Sequence, residues 1–235
     1  MIAFRSLVQV TLFYLWSLVM GLAMVPLLLG PRRWMLWAMA RWADGIIPPL
    51  RFIVGIRVEI RGLEHLPKGA ALIAAKHQCM FDTMGPFRVF DDACYVMRDE
   101  LLRIPFYGWY CRKAGMIAID RDAGAKALRG MVAAAKEAVG EGRQLVIFPE
   151  GHRMAPGETG DYKPGVAALY RAVGLPCIPM ATNSGVHWPA HGFLRRPGRI
   201  VYEFLPPIPP GLSRAEFMAT LETRLEAASK ALLSE

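Results

Sequence analysis

Gln144-Leu145-Val146-Ile147-Phe148 is a short run with a continuously apolar centre, and it breaks at once into Pro149-Glu150-Gly151-His152-Arg153. Val, Ile and Phe favour extended chain, and an apolar run without polar alternation fits a strand covered on both faces. The proline and glycine that follow close the strand in a tight turn. The same grammar occurs earlier, where Ala71-Leu72-Ile73-Ala74-Ala75-Lys76 gives way to His77-Gln78-Cys79-Met80-Phe81-Asp82. Further strand candidates are residues 58–60, 94–98, 116–120, 177–183 and 199–204.

Between these runs the period changes. Residues 123–139 place Leu128, Val132, Ala135 and Val139 on one helical face, and Gly140 and Gly142 stop it. Residues 166–173 read as a second, short helix. The last helix is the best bounded. Ser213 and Glu216 form a capping box, Leu212 and Phe217 a staple, and Phe217, Leu221, Leu225, Ala228 and Leu232 an inward face. Alternating strands and helices predict an α/β sheet with helices on both faces. In such sheets ligands sit outside the carboxyl ends of the strands. His77, Asp120-Arg121 and the 150–153 turn each follow a strand, so three polar clusters converge on one cleft.

The N-terminus is of another kind. Residues 7–30 carry no charge, and 24 residues at ~1.5 Å each suffice to cross a ~30 Å hydrocarbon core. The run is too long for the apolar part of a signal peptide, and no small-x-small cleavage site precedes Arg32-Arg33. A lasting membrane anchor is the expectation. A second apolar stretch, residues 34–56, is interrupted by Arg41, Asp44, Pro48, Pro49 and Arg51, and its Trp and Arg content suits the headgroup layer. One spanning helix and a hairpin of two half-buried helices are both open. The chain is therefore divided into an anchoring part, residues 1–56, and an α/β part, residues 57–235. Arg32, Arg33 and Arg41 behind the first run place the α/β part on the cytoplasmic side.

Net charge is +8, and the arginines at 5, 32, 33, 41, 51, 57 and 61 flank apolar, Trp-bearing segments. That favours an anionic lipid surface, and with no RNA-binding signature or zinc-ligand spacing nucleic acid is excluded as a partner. Cys79, Cys94, Cys111 and Cys177 show no paired spacing and read as buried, reduced thiols. Cys79 stands two residues from His77, which raises a thiol nucleophile as a minor alternative.

His77 can take a proton from a hydroxyl near neutral pH if a carboxylate holds its ring in one tautomer. Five positions apart on a straight helix, His77 and Asp82 would diverge by roughly 140°. With the histidine at a strand end and the aspartate in the next helical turn, they meet. Arg121 and Arg153 each follow a strand end and together make a bidentate phosphate clamp, although either alone reads as a surface arginine. Glu150 is held in a turn, and its bland role is to orient an arginine. No Gly-x-Ser-x-Gly elbow, Walker loop, dinucleotide fingerprint or His-Glu-x-x-His occurs; Ser184 lies in Asn183-Ser184-Gly185. His65, His187 and His191 carry no assigned chemistry. A base without a nucleophile fits direct attack by a substrate hydroxyl. A lipid hydrolase activating water with the same pair is the rival reading.

KHQCMFD at 76–82 resembles the first block of the 1-acyl-glycerol-3-phosphate acyltransferase family. Gly115-Met116-Ile117-Ala118-Ile119-Asp120-Arg121 resembles its second, FPEGHR at 148–153 its third, and Cys177-Ile178-Pro179-Met180 its fourth. The order and spacing agree over residues 60–180. The resemblance implies a mixed, mostly parallel central sheet flanked by helices. It implies transfer of a fatty acyl group from acyl-CoA or acyl carrier protein to the sn-2 hydroxyl of lysophosphatidic acid, giving phosphatidic acid. It makes His77 the base and Asp82 its orienter, puts Arg121 and Arg153 on the acceptor phosphate, lets Glu150 and Gly151 shape that turn, and sets Arg98 near the thioester oxyanion. No metal or other cofactor is implied. The location implied is the cell inner membrane. Block three departs from the family pattern in His152 for threonine and Met154 for serine, which leaves a lyso-ornithine lipid or another lysophospholipid open as acceptor.

Overall fold

The computed structural model describes residues 1–120 and 123–235. Seven strands form one sheet: β1 (Ile56–Arg61), β2 (Ala71–Ala75), β3 (Ala93–Arg98), β4 (Ile117–Ile119), β5 (Gln144–Ile147), β6 (Cys177–Thr182) and β7 (Gly198–Phe204), in the order β1-β7-β6-β2-β5-β3-β4. The neighbours β6, β2, β5, β3 and β4 all run parallel, so their carboxyl ends share one edge. β7 returns antiparallel to β6, and β1 runs parallel to β7. The expected mixed, mostly parallel sheet is present, and all seven strands lie on the candidate runs.

Two apolar layers follow from the period of two in each strand. Leu72, Ala74, Leu145 and Ile147 face one layer. It is closed by α4 (Gly124–Gly140), α5 (Pro164–Val173) and α7 (Arg214–Ala231), which brings in Phe217, Leu221 and Leu225. Ile73, Ala75, Val146, Ile178 and Met180 face the opposite layer. The N-terminal helices cover that layer with Phe13, Met35, Leu36, Ile46 and Leu50. Continuously apolar strands are thus the signature of a sheet sandwiched on both sides. The capping box at Ser213 and Glu216 starts α7 as expected, with bonds of 3.0 and 3.2 Å.

The N-terminal run is corrected in detail. α1 spans Ile2–Ala23 and includes Arg5, so the uncharged stretch 7–30 is not one helix. Pro26 lacks an amide hydrogen and restricts the residue before it, and the chain continues as a 3-10 turn over Val25–Leu29. α2 (Arg32–Pro49) then folds back, followed by a π-helical turn, Leu50–Val54, that ends at Gly55. Trp16 Nε1 donates to Trp42 O (2.9 Å) and Trp42 Nε1 to Ser17 Oγ (3.1 Å), which locks the two helices together. A helical hairpin is therefore formed. α1 is long and apolar enough to cross a membrane, and Phe4, Leu7, Tyr14, Leu15, Leu18, Val19 and Leu22 on it are exposed. Not every arginine of this region is available to lipid: Arg32 pairs with Asp92 (2.9 Å) and Glu141 (3.0 Å).

Candidate active site

Beyond Ala75 the strand parity continues for two residues and decides the site. Lys76 follows Leu72 and Ala74 to the α7 side, where its Nζ bonds Glu226 at 2.7 and 2.8 Å. His77 follows Ile73 and Ala75 to the side of the N-terminal helices. Its ring stacks on Phe148, with centroids 4.1 Å apart and planes at 24°. The chain then tightens into a 3-10 turn, Met80–Thr83, with Cys79 as N-cap and Asp82 as the third residue. That turn, rather than a regular helix, carries Asp82 back toward His77.

Asp82 is fully buried and holds six donors. Oδ2 takes His77 Nδ1–H (3.0 Å) and the amides of Gln78 (2.6 Å) and Cys79 (2.8 Å). Oδ1 takes the hydroxyls of Ser184 (2.5 Å) and Tyr202 (3.2 Å) and the Cys79 thiol (3.6 Å). Burial alone would raise its pKa, yet the hydrogen bond and charge of His77, helped by Cys79 N–H and Ser184, hold the carboxyl below its usual range. An ionised acceptor at Nδ1 fixes the proton there and leaves the Nε2 lone pair for substrate. The His77 side chain keeps 14% exposure, enough for contact from one side.

Burial, reinforced by the charge of Asp82, drives the Cys79 thiol well above its ordinary pKa. A thiolate nucleophile is excluded, and Cys79 serves as a donor to Asp82. The other three cysteines are free and buried, as expected.

The turn after β5 meets the turn after β2. Gly151 N–H bonds Phe148 O (3.0 Å) around Pro149 and Glu150, and Gly151 takes φ +73°, which a Cβ would strain. Met154 N–H donates to His77 O (2.8 Å), while Glu150 Oε2 accepts His77 N–H (3.1 Å). Glu150 is fully buried, so it acts inside the protein rather than on a ligand. Its partner is Lys76, with Nζ 2.5 Å from Oε1, and not an arginine. Burial raises the Glu150 pKa against the opposing pull of Lys76.

Of the expected phosphate ligands, Arg121 lies outside the described residues. Arg153 is exposed one residue from the Met154–His77 bond and donates Nη1–H to Ala190 O (3.2 Å). Arg98, at the end of β3, forms an ion pair with Glu100 (2.5 Å) that pulls the glutamate down to about 2. β5 separates its strand from that of His77. His152 is exposed. Sequence reasoning missed Ser184, Tyr202, Lys76, Glu226 and the stacking role of Phe148. Ser184 opens α6 (Ser184–His187) just past the end of β6, a strand-end position that could have flagged it.

A family model described as Acyltransferase matches residues 57–183, just over half of the chain. The 1-acyl-sn-glycerol-3-phosphate acyltransferase of Pseudomonas aeruginosa is 37% identical over 159 residues, covering 68% of this chain and 62% of that protein. The alpha form of the enzyme from Mus musculus is 31% identical over 162 residues, covering 67% and 57%. The chain thus spans less than two thirds of the length of these curated relatives. The fold is shared with the crystal structure of the 1-acyl-sn-glycerophosphate (LPA) acyltransferase PlsC from Thermotoga maritima. The TM-score is 0.83 at 22% identity, covering 100% of this chain and 99% of that one. The matched residues contain the His77–Asp82 pair and both turns that hold it, and the chain belongs to the acyltransferase family.

Proposed function

We propose that the protein is a membrane-attached 1-acyl-sn-glycerol-3-phosphate acyltransferase, moving a fatty acyl group from a thioester to the sn-2 hydroxyl of lysophosphatidic acid. The observation that carries this reading is a histidine whose Nδ1 is fixed on a buried, ionised aspartate and whose Nε2 is left for a substrate hydroxyl. Nε2 removes the hydroxyl proton as the oxygen attacks the thioester carbonyl. The tetrahedral intermediate collapses with cleavage of the C–S bond. His77 returns its proton to the departing thiolate, and the products are phosphatidic acid and a free thiol. Asp82 stabilises the imidazolium between the two steps.

Arg153 and Arg121 are assigned to the acceptor phosphate, with Gly151 allowing the turn that presents Arg153. Arg98 keeps its assignment beside the oxyanion only through movement away from Glu100. The scheme uses no metal or prosthetic group; acyl-CoA or acyl carrier protein enters as co-substrate. Residues 1–56 hold the protein to the inner membrane, with residues 57–235 on the cytoplasmic face.

The test is acylation of lysophosphatidic acid by purified protein in mixed micelles, with each donor in turn and with donor omitted. Donor-dependent phosphatidic acid supports the reading. Release of fatty acid from lipid without any donor identifies a hydrolase and refutes it. A lyso-ornithine lipid or lysophosphatidylcholine acylated in preference to lysophosphatidic acid would relocate the acceptor while keeping the chemistry.

A further inference from the structure

The loop between α6 and β7 joins three things that the catalytic scheme does not connect. It begins at Trp188, whose ring is stacked on Phe81 of the catalytic turn (5.3 Å, 9°) and packed edge-on against Phe13 of α1 (6.0 Å). Its Ala190 carbonyl holds Arg153. Further on, Ser6 of α1 clamps Arg195 twice, accepting its N–H (2.8 Å) and donating to its carbonyl (3.3 Å). The loop therefore keeps a fixed place relative to the membrane helix on one side and to the site on the other.

Its composition is that of a membrane edge. Residues 191–199 are all exposed except Arg195. Phe193 and Leu194, adjacent and apolar, keep 48% and 42% exposure, while Arg196 and Arg199 follow them. From Tyr162 to Tyr202 the sequence has no Asp or Glu. Arg199 pairs with Glu59 (3.2 Å) and Glu235 (3.4 Å) from elsewhere in the chain, and Arg196 is exposed beside the apolar pair. Two exposed apolar side chains followed by basic ones match the depth order of a leaflet, acyl border first and phosphates above it.

Arg195 is the anomaly. It is 6% exposed and lies over the face of Trp188 at 4.2 Å. Nη1 has only long contacts, 3.3 Å each, to the Gly192 and Leu194 carbonyls, and the buried Nε has no acceptor. Among the described residues no carboxylate pairs with it. On α1, three residues after Ser6, Gln9 is fully buried with both amide atoms unpartnered. A buried cation without an anion is costly, and such groups are normally paired. Burial accordingly pulls the guanidinium down to about 10.

We propose that residues 191–196 form a second membrane contact, in which Phe193 and Leu194 enter the leaflet that holds α1 and Arg195 pairs with the phosphate of an anionic phospholipid headgroup. The partner is the bilayer itself, chosen by charge complementarity and by continuity with α1. The contact would set the rim of the site at headgroup depth, so that a single-chain phosphate lipid reaches Arg153 and His77 without leaving the leaflet. That last consequence rests on the acyltransferase reading; the membrane contact does not.

The experiment uses the full chain reconstituted in phosphatidylcholine vesicles with increasing phosphatidylglycerol. Phe193→Cys introduces an exposed thiol among four buried ones, and it is labelled with an environment-sensitive fluorophore. A control label is placed at Lys136→Cys, exposed on α4. We expect the 193 label to shift to shorter wavelength and to be quenched by shallow doxyl lipids, with the 136 label unaffected. Arg195→Gln should weaken the phosphatidylglycerol dependence of that insertion about fivefold, and Arg195→Lys should keep it. A 193 label as accessible to aqueous iodide as the 136 label overturns the proposal. So does blue-shifting without lipid quenching, which would indicate a protein contact. Insertion unaffected by Arg195→Gln overturns the headgroup pairing. These readouts concern depth, so they hold whether or not lysophosphatidic acid proves to be the acceptor.

Discussion

Replacing Asp82 by Asn tests the centre of the mechanism with little change of shape. The amide oxygen can take the place of Oδ2 and keep the bonds from His77 Nδ1 and from the Gln78 and Cys79 amides. The amide nitrogen then meets the Ser184 and Tyr202 hydroxyls, which can turn to accept. What is lost is the charge. With the N···O distance at 3.0 Å and the charge centres about an ångström further apart, the imidazolium–carboxylate attraction is roughly 4 kcal/mol at an effective dielectric of 20. That attraction exists only while His77 carries the substrate proton, so it acts on the transition state and not on binding. The expected result is a fall in kcat of about 10³-fold with KM nearly unchanged. The assay follows thiol release from the donor, with circular dichroism to verify the fold. A fall in kcat of less than about tenfold in a folded variant, or a loss expressed wholly in KM, would refute the reasoning.

Ser184→Ala and Tyr202→Phe each strip one donor from Asp82 Oδ1. Each should cost about 1–2 kcal/mol in urea unfolding and reduce kcat without altering KM, and together they should exceed either alone. Cys79→Ser should retain near-wild-type turnover, and iodoacetamide should leave the native enzyme active, because the thiol is buried and held protonated; rapid inactivation would restore the nucleophile. Because the folded-state pKa of Asp82 is depressed below 3.8, its contribution to stability is present above that value and lost as pH falls through the folded pKa. Acid titration of unfolding should therefore be flatter below pH 3.8 in Asp82→Asn than in wild type. Glu150→Ala should destabilise the protein by about 3 kcal/mol or more, since it leaves Lys76 with one buried carboxylate fewer and frees the His77 amide, whereas Glu150→Gln should retain part of both contacts.

The centre of the sheet was readable because β2, β5 and β6 are covered on both faces, which turns LIAA and LVIF into uninterrupted apolar words. The mixed direction of β7 was not, since nothing in residues 199–204 distinguishes parallel from antiparallel pairing. The dyad was readable as a spacing, but its strength was not. Four of the six donors on Asp82 come from the local turn, Cys79 supplying two of them, while Ser184 and Tyr202 arrive from 102 and 120 residues away. Such partners exist only once β6 stands beside β2 and β7 beside β6. Glu150 shows the opposite limit. Its motif was recognised, yet its partner Lys76 was hidden as the last residue of an apolar run, where a lysine reads as a strand end reaching water. The helical hairpin was left open because prolines 26, 48 and 49 interrupt apolar stretches without saying which way the chain turns next.

The most direct measurement is phosphatidic acid formed from lysophosphatidic acid and an acyl thioester by purified wild type and His77→Ala, followed by mass spectrometry. The account predicts one free thiol per phosphatidic acid in wild type. It also predicts a loss of at least ~10³-fold in a His77→Ala protein that unfolds at the same urea concentration. A variant that turns over at a rate near wild type would contradict it.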